Sequence, residues 1–231
     1  MRMRKKKNLE ERLLNVSELL FTSSIEDRNF KTASEKKEYI DFDGWFQKKQ
    51  PLYLEIGCGK GKFACEYAAQ NPDINLLAVE KSGNVIVEAC ETAQKMGLQN
   101  LKFIKCGAEY LEKYIKEGSV EQIFLNFSCP FPKAAYATHR LTHKNFLKIY
   151  KRLMKKGAEI HQKTDNMHFF EFSLEQLSGE GFSLKNISLD LHSSGFEGNI
   201  ETEYEHKFAS LGKPIYRLEA FLDVADSNGG K

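Results

Sequence analysis

The sequence predicts an α/β protein with a Rossmann-like architecture, in which a mostly parallel sheet is covered by helices on both faces. From about Pro51 onward, short apolar runs with the character of strands alternate with segments that have the periodicity of amphipathic helices. A glycine-rich turn, Gly57–Gly61, links the first such run to the helical segment after it. This alternation is typical of parallel sheets, because each strand must be followed by a crossover connection.

Seven apolar runs are predicted as strands, because each is short and is bounded by polar or glycine-containing turns. They are Leu52–Ile56, Leu76–Glu80, Leu101–Lys105, Gln122–Phe127, Gly157–Lys163, Phe182–Asp190 and Pro214–Phe221. The helical periodicity of the segments between them predicts helices over Lys60–Gln70, Ser82–Met96, Glu109–Tyr114, His143–Leu153, Phe169–Leu177 and Thr202–Ser210. The result is one domain of ordinary size.

The composition is that of a soluble globular protein. The 231 residues are 41% hydrophobic and 29% charged, and no apolar run approaches the length of a membrane span. The cysteines are odd in number and form no Cys-x-x-Cys pair, which disfavours a disulfide framework or a zinc site. We therefore expect a cytoplasmic protein without a membrane partner. A monomer or a homodimer is expected, although the composition does not bear on this.

The N-terminal segment differs from the rest of the chain. Residues 1–41 are predicted as a basic extension with a short helix, in which Leu9, Leu13, Val16, Leu19 and Leu20 recur at helical spacing. A polar linker with Ser23, Ser24, Asp27 and Asn29 follows. Residues 42–231 form the main domain. The net charge of +2 does not by itself indicate a nucleic-acid partner. A basic run from Lys144 to Lys156 is more often a solvated helix face than a polyanion site.

The glycine turn has three possible interpretations. A phosphate-binding P-loop requires Gly-Lys-Ser/Thr, and a dinucleotide fingerprint requires G-x-G-x-x-G; the chain has neither. The segment from Glu55, with Gly57, Gly59 and Gly61, fits the E-x-G-x-G-x-G loop of class I methyltransferases. Glu80 ends the second strand, about 20 or more residues on, where a carboxylate can accept hydrogen bonds from a ribose. S-adenosylmethionine is therefore the expected cofactor.

The segment Asn126–Lys133, which reads NFSCPFPK, follows the fourth strand. Its two prolines cannot continue a strand, so it is a shaped loop at the edge of the sheet where α/β proteins bind ligands. With the segments that follow, this loop resembles the bacterial tRNA (guanine-N7)-methyltransferase family (TrmB). The matching segments are Ile160–Asn166, Phe196–Asn199, Thr202–Glu205, Lys207–Phe208 and Ile215–Arg217, within a resemblance from about Gly44 to Ala220.

The resemblance implies a fold, a reaction and a set of site residues. The fold is the class I methyltransferase sheet of seven strands with an antiparallel last strand, here in residues 42–231. The reaction moves the methyl group of S-adenosylmethionine to N7 of a guanine in the variable loop of tRNA. Cofactor positions fall on Glu55, Gly57, Gly59, Gly61, Glu80, Cys106 and Cys129. Substrate positions fall on Lys133, Asp165, Thr202, Glu203, Tyr204 and Glu205, with Cys129 and Asp165 as the catalytic positions.

The chain departs from the family pattern at several places. Cys106 and Cys129 stand where the family has aspartates, Phe131 replaces a tryptophan, and Ala134–His139 replaces a basic run. A neutral thiol is a poorer hydrogen-bond partner than a carboxylate. Guanine N7 already carries a lone pair, however, so the reaction requires orientation more than a base. The second interpretation is therefore a weakened or inactive relative that binds the cofactor or tRNA.

Several site residues also have purely structural interpretations. Cys129 is more simply a packing residue than a nucleophile, because His139 and His143 are its only nearby bases and no third group is evident. These two histidines lack a third ligand, so no metal site is expected. Asp165 and Asn166 can cap the following helix, and Thr202 with Glu205 can form a capping box. Phe127 and Phe131 can either stack a base or pack in the loop.

Overall fold

The computed structural model describes residues 6–23 and 30–223 of the chain. Its strands are β1 (Leu20–Thr22), β2 (Leu52–Ile56), β3 (Asn75–Val79), β4 (Leu101–Lys105), β5 (Val120–Asn126), β6 (Met154–Thr164), β7 (Ser183–Ser188) and β8 (Tyr216–Phe221). They form one sheet of eight strands in the order β1-β4-β3-β2-β5-β6-β8-β7. All the seven predicted strands are present, so the Rossmann-like α/β fold is confirmed.

The direction of the strands also agrees with the prediction. Neighbouring strands from β1 to β6 in the sheet run parallel, whereas β8 pairs antiparallel with both β6 and β7. The number of strands was wrong by one, because β1 pairs with β4 through Leu20 and Phe103. Leu19 and Leu20 had been counted with the preceding helix, and three residues are too few to show strand periodicity.

Helices connect the strands on both faces. They are α1 (Leu9–Asn15), α2 (Phe30–Glu35), α3 (Phe42–Phe46), α4 (Lys62–Gln70), α5 (Gly83–Lys95), α6 (Leu111–Tyr114), α7 (Lys144–Leu153), α8 (Met167–Gly179) and α9 (Glu203–Ala209), with 3₁₀ turns at Ala108–Tyr110 and Ala134–His139. The predicted helices agree with these within a few residues. In the described ranges, no helix has both the length and the apolar character needed to cross a membrane.

The sheet divides the core into two layers. All residues of β3 are buried, and its alternate side chains point to opposite faces. Leu77 and Val79 pack in the layer that contains residues of α6 and α7, whereas Leu76 and Ala78 pack in the layer that contains residues of α4 and α5. A strand buried on both faces explains why this sequence is a continuous apolar run.

The N-terminal segment lies along α5. The guanidinium of Arg12 donates to both oxygens of Glu91, at 2.7 and 2.6 Å. The backbone N–H of Lys6 donates to Asn84 Oδ1 at 3.0 Å, and its ammonium pairs with Glu88. The start of the basic extension and most of the predicted polar linker, with Ser24, Asp27 and Asn29, lie outside the described residues.

Candidate active site

The glycine turn forms one wall of the candidate site, between β2 and α4. Gly57, Gly59 and Gly61 all have left-handed φ angles, of 84°, 58° and 80°. A side chain at Gly61 would collide with Ala89 of α5, because its Cβ would lie 2.5 Å from the Ala89 Cβ. At Gly59, by contrast, a Cβ would meet no described atom within 4 Å. Gly61 therefore serves the packing of α4 on α5, and Gly59 leaves its backbone open to a ligand.

Glu55 is a buried carboxylate next to this turn. It is 2% exposed, and its Oε1 accepts a hydrogen bond from the side-chain amide of Asn126 at 3.2 Å. Its other oxygen, Oε2, is buried and has no hydrogen-bond partner among the described residues. Burial raises the pKa of Glu55 to about 7, against the opposing effects of Asn126 and the charge of Lys163. An unpaired buried acceptor of this kind fits a ligand that brings a donor.

Glu80 and Cys106 follow the next two strands, β3 and β4. Glu80 accepts a hydrogen bond from the Ser82 N–H at 2.8 Å, which shapes the turn into α5. Both Glu55 and Glu80 act on the Cys58 thiol, whose pKa is raised by burial first and then by these carboxylates. The predicted cofactor carboxylates therefore both lie near the glycine turn.

Cys106 lies in the core rather than on an open surface. It is 7% exposed and packs among apolar side chains, and burial raises the pKa of its thiol. The carboxylate of Glu109 folds back over Gly107, directly after Cys106, and contributes to that rise. A carboxylate thus lies beside the position where the family has an aspartate. Glu109 is not among the site residues that the sequence predicts.

The loop Asn126–Lys133 has an unusual backbone. Phe127 and Phe131 have φ angles of 49° and 41°, which are uncommon for bulky side chains. The N–H of Phe127 donates to the Lys163 carbonyl at 2.8 Å. Arg140 donates to the carbonyls of Pro130 and Phe131, at 2.9 and 3.1 Å. Such strain persists only where the surroundings hold the backbone, which marks this loop as a built feature.

The residues predicted at the end of this loop are accessible. Cys129 and Lys133 are both exposed. The exposed thiol of Cys129 distinguishes it from the other cysteines of the chain, which are all buried. The loop backbone therefore presents residue 129 to solvent at the carboxyl edge of the sheet.

Lys163 joins the two halves of the site. Its ammonium is buried and donates to Glu205 Oε2 at 2.6 Å, to Asn199 Oδ1 at 2.9 Å and to the Ile200 carbonyl at 2.8 Å. These three acceptors saturate its three donors. The same charge acts on Glu55 and lies 5.6 Å from the Phe63 ring. The sequence showed Lys163 only as part of a matching segment, without indicating this contact.

Glu205 and Thr202 are structurally engaged. Glu205 is fully buried, and its Oε1 is within reach of Asn199 Nδ2 at 2.5 Å and His192 Nε2 at 3.2 Å. Thr202 caps α9, because its hydroxyl accepts the Glu205 N–H at 2.9 Å. The capping interpretation is therefore confirmed for Thr202, whereas the second half of the predicted capping box is wrong: the Glu205 carboxylate is directed to Lys163 and Asn199 rather than to the Thr202 N–H. Substrate contact through these two residues stays a prediction, and Glu205 would have to exchange a donor to make it.

The remaining predicted substrate positions face outward. Asp165 is half-buried and pairs with Lys213, with 3.2 Å between Asp165 Oδ2 and the ammonium. Asn166, not Asp165, caps α8 by accepting the Phe169 N–H at 2.8 Å. Glu203 and Tyr204 are exposed at the start of α9. The site thus brings Asp165 and α9 to the carboxyl edge of the sheet, close to Lys163.

Two groups of charged residues lie outside the site. In the basic run from Lys144 to Lys156, three of the six cations are neutralised: Lys151, Arg152 and Lys155 pair with Glu180, Glu112 and Glu121. Glu159, His161 and Glu219 cluster on β6 and β8. Lys185 and Arg217 pair with these carboxylates, which balances their charge without a metal. His139 and His143 contact aromatic rings instead of each other.

Comparison with known proteins gives relatives over most of the chain. Residues 49–218 match the family model described as "Putative methyltransferase". A tRNA (guanine-N7)-methyltransferase of Macrococcus caseolyticus is 42% identical over 95% of this chain and 99% of its own. The proteins of the same name from Staphylococcus carnosus and Listeria monocytogenes are 44% and 46% identical; they match 78% and 79% of this chain and 90% and 87% of their own lengths.

Solved structures with the same fold are more distant in sequence. The 16S rRNA methyltransferase KamB superposes with a TM-score of 0.58 at 16% identity, over 81% of this chain and 95% of that one. A precorrin-6y C5,15-methyltransferase from Geobacter metallireducens gives a TM-score of 0.54 at 13% identity, over 88% and 94%. At such identities the likeness concerns the fold alone.

Proposed function

Since the chain belongs to the tRNA (guanine-N7)-methyltransferase family, we propose that it transfers the methyl group of S-adenosylmethionine to N7 of a guanine in the variable loop of tRNA. The observation that carries the proposal is the buried Glu55 carboxylate, which has one oxygen without a partner among the described residues, beside the open glycine turn. Through Asn126 and the charge of Lys163, this carboxylate is connected to the segment proposed to contact the substrate.

The residues at the carboxyl ends of β2, β3 and β4 fit S-adenosylmethionine. Glu55 Oε2 can accept from the ammonium of its methionine part, and that positive charge would favour the ionised form of a carboxyl whose pKa burial has raised to about 7. Gly57 and Gly59 allow close approach of the backbone, and Glu80 can accept from the ribose hydroxyls. Cys106 forms an apolar wall beside Glu109, and Cys129 completes the cofactor side.

In the proposed reaction, the role of this protein is to orient the two reactants. When bound, S-adenosylmethionine supplies an electrophilic methyl group on a sulfonium. Guanine N7 would bond to the methyl carbon through its own lone pair as the carbon–sulfur bond breaks and S-adenosylhomocysteine leaves, so no residue has to remove a proton first. The protein holds N7 in line with the methyl group and the sulfur. Orientation of this kind is expected to contribute most of the rate enhancement. Negative charge from Asp165 favours the cationic 7-methylguanine as it forms.

The substrate side consists of the predicted positions near α9. Asp165 and Glu203 can accept from the N1–H and N2–H₂ groups of guanine, and exposed Lys133 can bind a phosphate. Thr202 and Glu205 position α9 instead of reaching outward: Thr202 caps the helix, and Glu205 holds it to Lys163. We further propose a cytoplasmic monomer or homodimer.

The test is transfer of labelled methyl from S-adenosylmethionine to unmodified tRNA, with identification of the product nucleoside. We expect 7-methylguanosine, and we expect Glu55→Gln to lose most of the cofactor affinity. Cofactor binding by calorimetry without any 7-methylguanosine at high enzyme concentration would refute the proposal and favour a weakened relative that only binds. In the same assay a different methylated nucleoside would refute the assignment of N7.

A further inference from the structure

An aromatic strip extends from the loop after β5 onto α9. The rings of Phe127 and Phe208 are nearly parallel, at an angle of 24° and with centroids 6.3 Å apart. The Tyr204 ring continues this arrangement, at 21° and 6.3 Å from Phe208. Tyr204 and Phe208 are four residues apart in a helix, so they lie on the same face. Phe127 and Phe208 are partly buried, whereas Tyr204 is 55% exposed.

Two ammonium groups accompany the strip. Lys213 lies 4.6 Å and Lys207 5.7 Å from the centroid of the Phe208 ring. Lys213 also pairs with Asp165. Within residues 6–23 and 30–223, Lys207 is exposed and makes no ion pair. Aromatic rings flanked by cations are the features with which proteins bind unstacked nucleobases and their phosphates.

The backbone of Phe127 supports a built surface rather than incidental packing. Its left-handed conformation turns the ring toward Phe208, and the hydrogen bond from its N–H to Lys163 fixes that position. A packing contact alone would not require an exposed tyrosine at the outer end, because Tyr204 buries less than half of its surface. The outer face of the strip is therefore available to a planar ligand.

We propose that the strip of Phe127, Phe208 and Tyr204 stacks an unpaired nucleobase of the RNA substrate, and that Lys207 and Lys213 bind the phosphates beside it. This inference rests on the proposed function and adds a subsite to it. Asp165, which is proposed to hold the guanine edge, is already joined to the strip by Lys213. The stacked base is therefore the immediate neighbour of the guanine that is methylated.

The test measures the Kd for an unmodified tRNA transcript and for transcripts that are abasic at either neighbour of the target guanine. Tyr204→Leu removes the ring and keeps an apolar side chain. We expect it to weaken binding of the full transcript about 5- to 100-fold. A transcript that is abasic at one neighbour of the target guanine should bind the wild type similarly weakly. The same abasic site should not raise the Kd of Tyr204→Leu any further. Tyr204→Phe, which keeps the ring, should bind like the wild type.

The lysines are tested through the salt dependence of the same Kd. Lys207→Gln should lower the slope of log K against log salt by about 0.7, the value expected for one phosphate contact to a single strand. Lys116→Gln is the matched control, because Lys116 is exposed just before β5, at the opposite edge of the sheet, and should leave the slope unchanged. Tyr39→Leu is the control for loss of a partly exposed tyrosine, 43% exposed.

Two results would overturn the inference. One is a Kd of Tyr204→Leu within twofold of the wild type. The other is that the losses of affinity caused by Tyr204→Leu and by the abasic site add fully, for the transcript abasic at one neighbour and also for the transcript abasic at the other. Binding is measured without S-adenosylmethionine, whereas the proposed function is judged by 7-methylguanosine formation. A wild type that forms the product while Tyr204→Leu binds normally would therefore refute the stacking subsite and leave the reaction standing.

Discussion

The ammonium of Lys163 and the carboxylate of Glu205 form a buried ion pair, 2.6 Å long, that joins β6 to α9. The two side chains are 8% and 0% exposed. Further donors from Asn199 and His192 complete the environment of the carboxylate. Because Lys163 also acts on Glu55 and accepts the Phe127 N–H through its carbonyl, one residue ties the cofactor wall to the substrate segment.

Loss of this ion pair should destabilise the fold. Lys163→Met leaves the Glu205 carboxylate buried without its main counter-charge, and we expect the free energy of unfolding to fall by about 3–5 kcal/mol. Lys155→Met breaks the exposed pair with Glu121 and should lower the free energy of unfolding by only about 0–1 kcal/mol. Urea denaturation of both variants measures the difference. Equal losses would show that burial does not distinguish the two pairs.

Glu55 should make stability depend on pH. Its pKa in the folded chain, about 7, is above the ordinary value of 4.5, so the folded state keeps a proton that the unfolded state releases between these pH values. Its contribution to stability therefore falls as pH rises from about 4.5 to 7 and stays low above that. Glu55→Gln removes this effect, and its stability relative to wild type should rise by roughly 3 kcal/mol between pH 5 and 8. A difference that does not change with pH in urea titrations would contradict the prediction.

Cys129→Asp should increase methyl transfer. A carboxylate at this exposed position restores a charge-assisted hydrogen bond worth about 1.5–3 kcal/mol, or roughly 10- to 100-fold in rate. Cys129→Ser supplies a neutral group and should remain near the wild type. Single-turnover transfer to tRNA measures both variants. If Cys129→Asp leaves the rate unchanged, a carboxylate at this position is not what limits the rate, and the prediction is wrong.

Substitutions at two glycines of the turn should have different effects, one on packing and the other on ligand binding. Gly61→Ala places a Cβ 2.5 Å from that of Ala89 in a left-handed backbone, so we expect a loss of about 2–4 kcal/mol in stability. Gly59→Ala meets no such collision and should cost only about 1–2 kcal/mol, while it weakens S-adenosylmethionine binding. Thermal unfolding and calorimetry test the two effects separately. A stable Gly61→Ala that loses only cofactor affinity would reverse these roles.

Local patterns were enough to predict the sheet and the edge at which the site lies. The apolar runs from Leu52–Ile56 onward and the glycine turn depend on residues close in sequence, so periodicity and turn chemistry reveal them. The N-terminal helix was likewise visible as Leu9 and Leu13, although it ends at Asn15, before the predicted end.

Contacts between distant segments could not be predicted in this way. Lys163 and Glu205 are separated by 42 residues, and nothing in either neighbourhood marks them as partners. The ion pairs of α7 were hidden for the same reason, since the acids that neutralise Lys151 and Arg152 come from other elements.

The short strand β1 has a consequence for the behaviour of the protein at high concentration. It covers β4, which would otherwise present a row of unpaired N–H and C=O groups at the margin of the sheet. Open margins of this kind recruit strands from other molecules, whereas an edge of three residues offers them little to pair with. Leu20–Thr22 therefore protects the edge of β4 and reduces aggregation. A chain shortened past Thr22 would self-associate through β4.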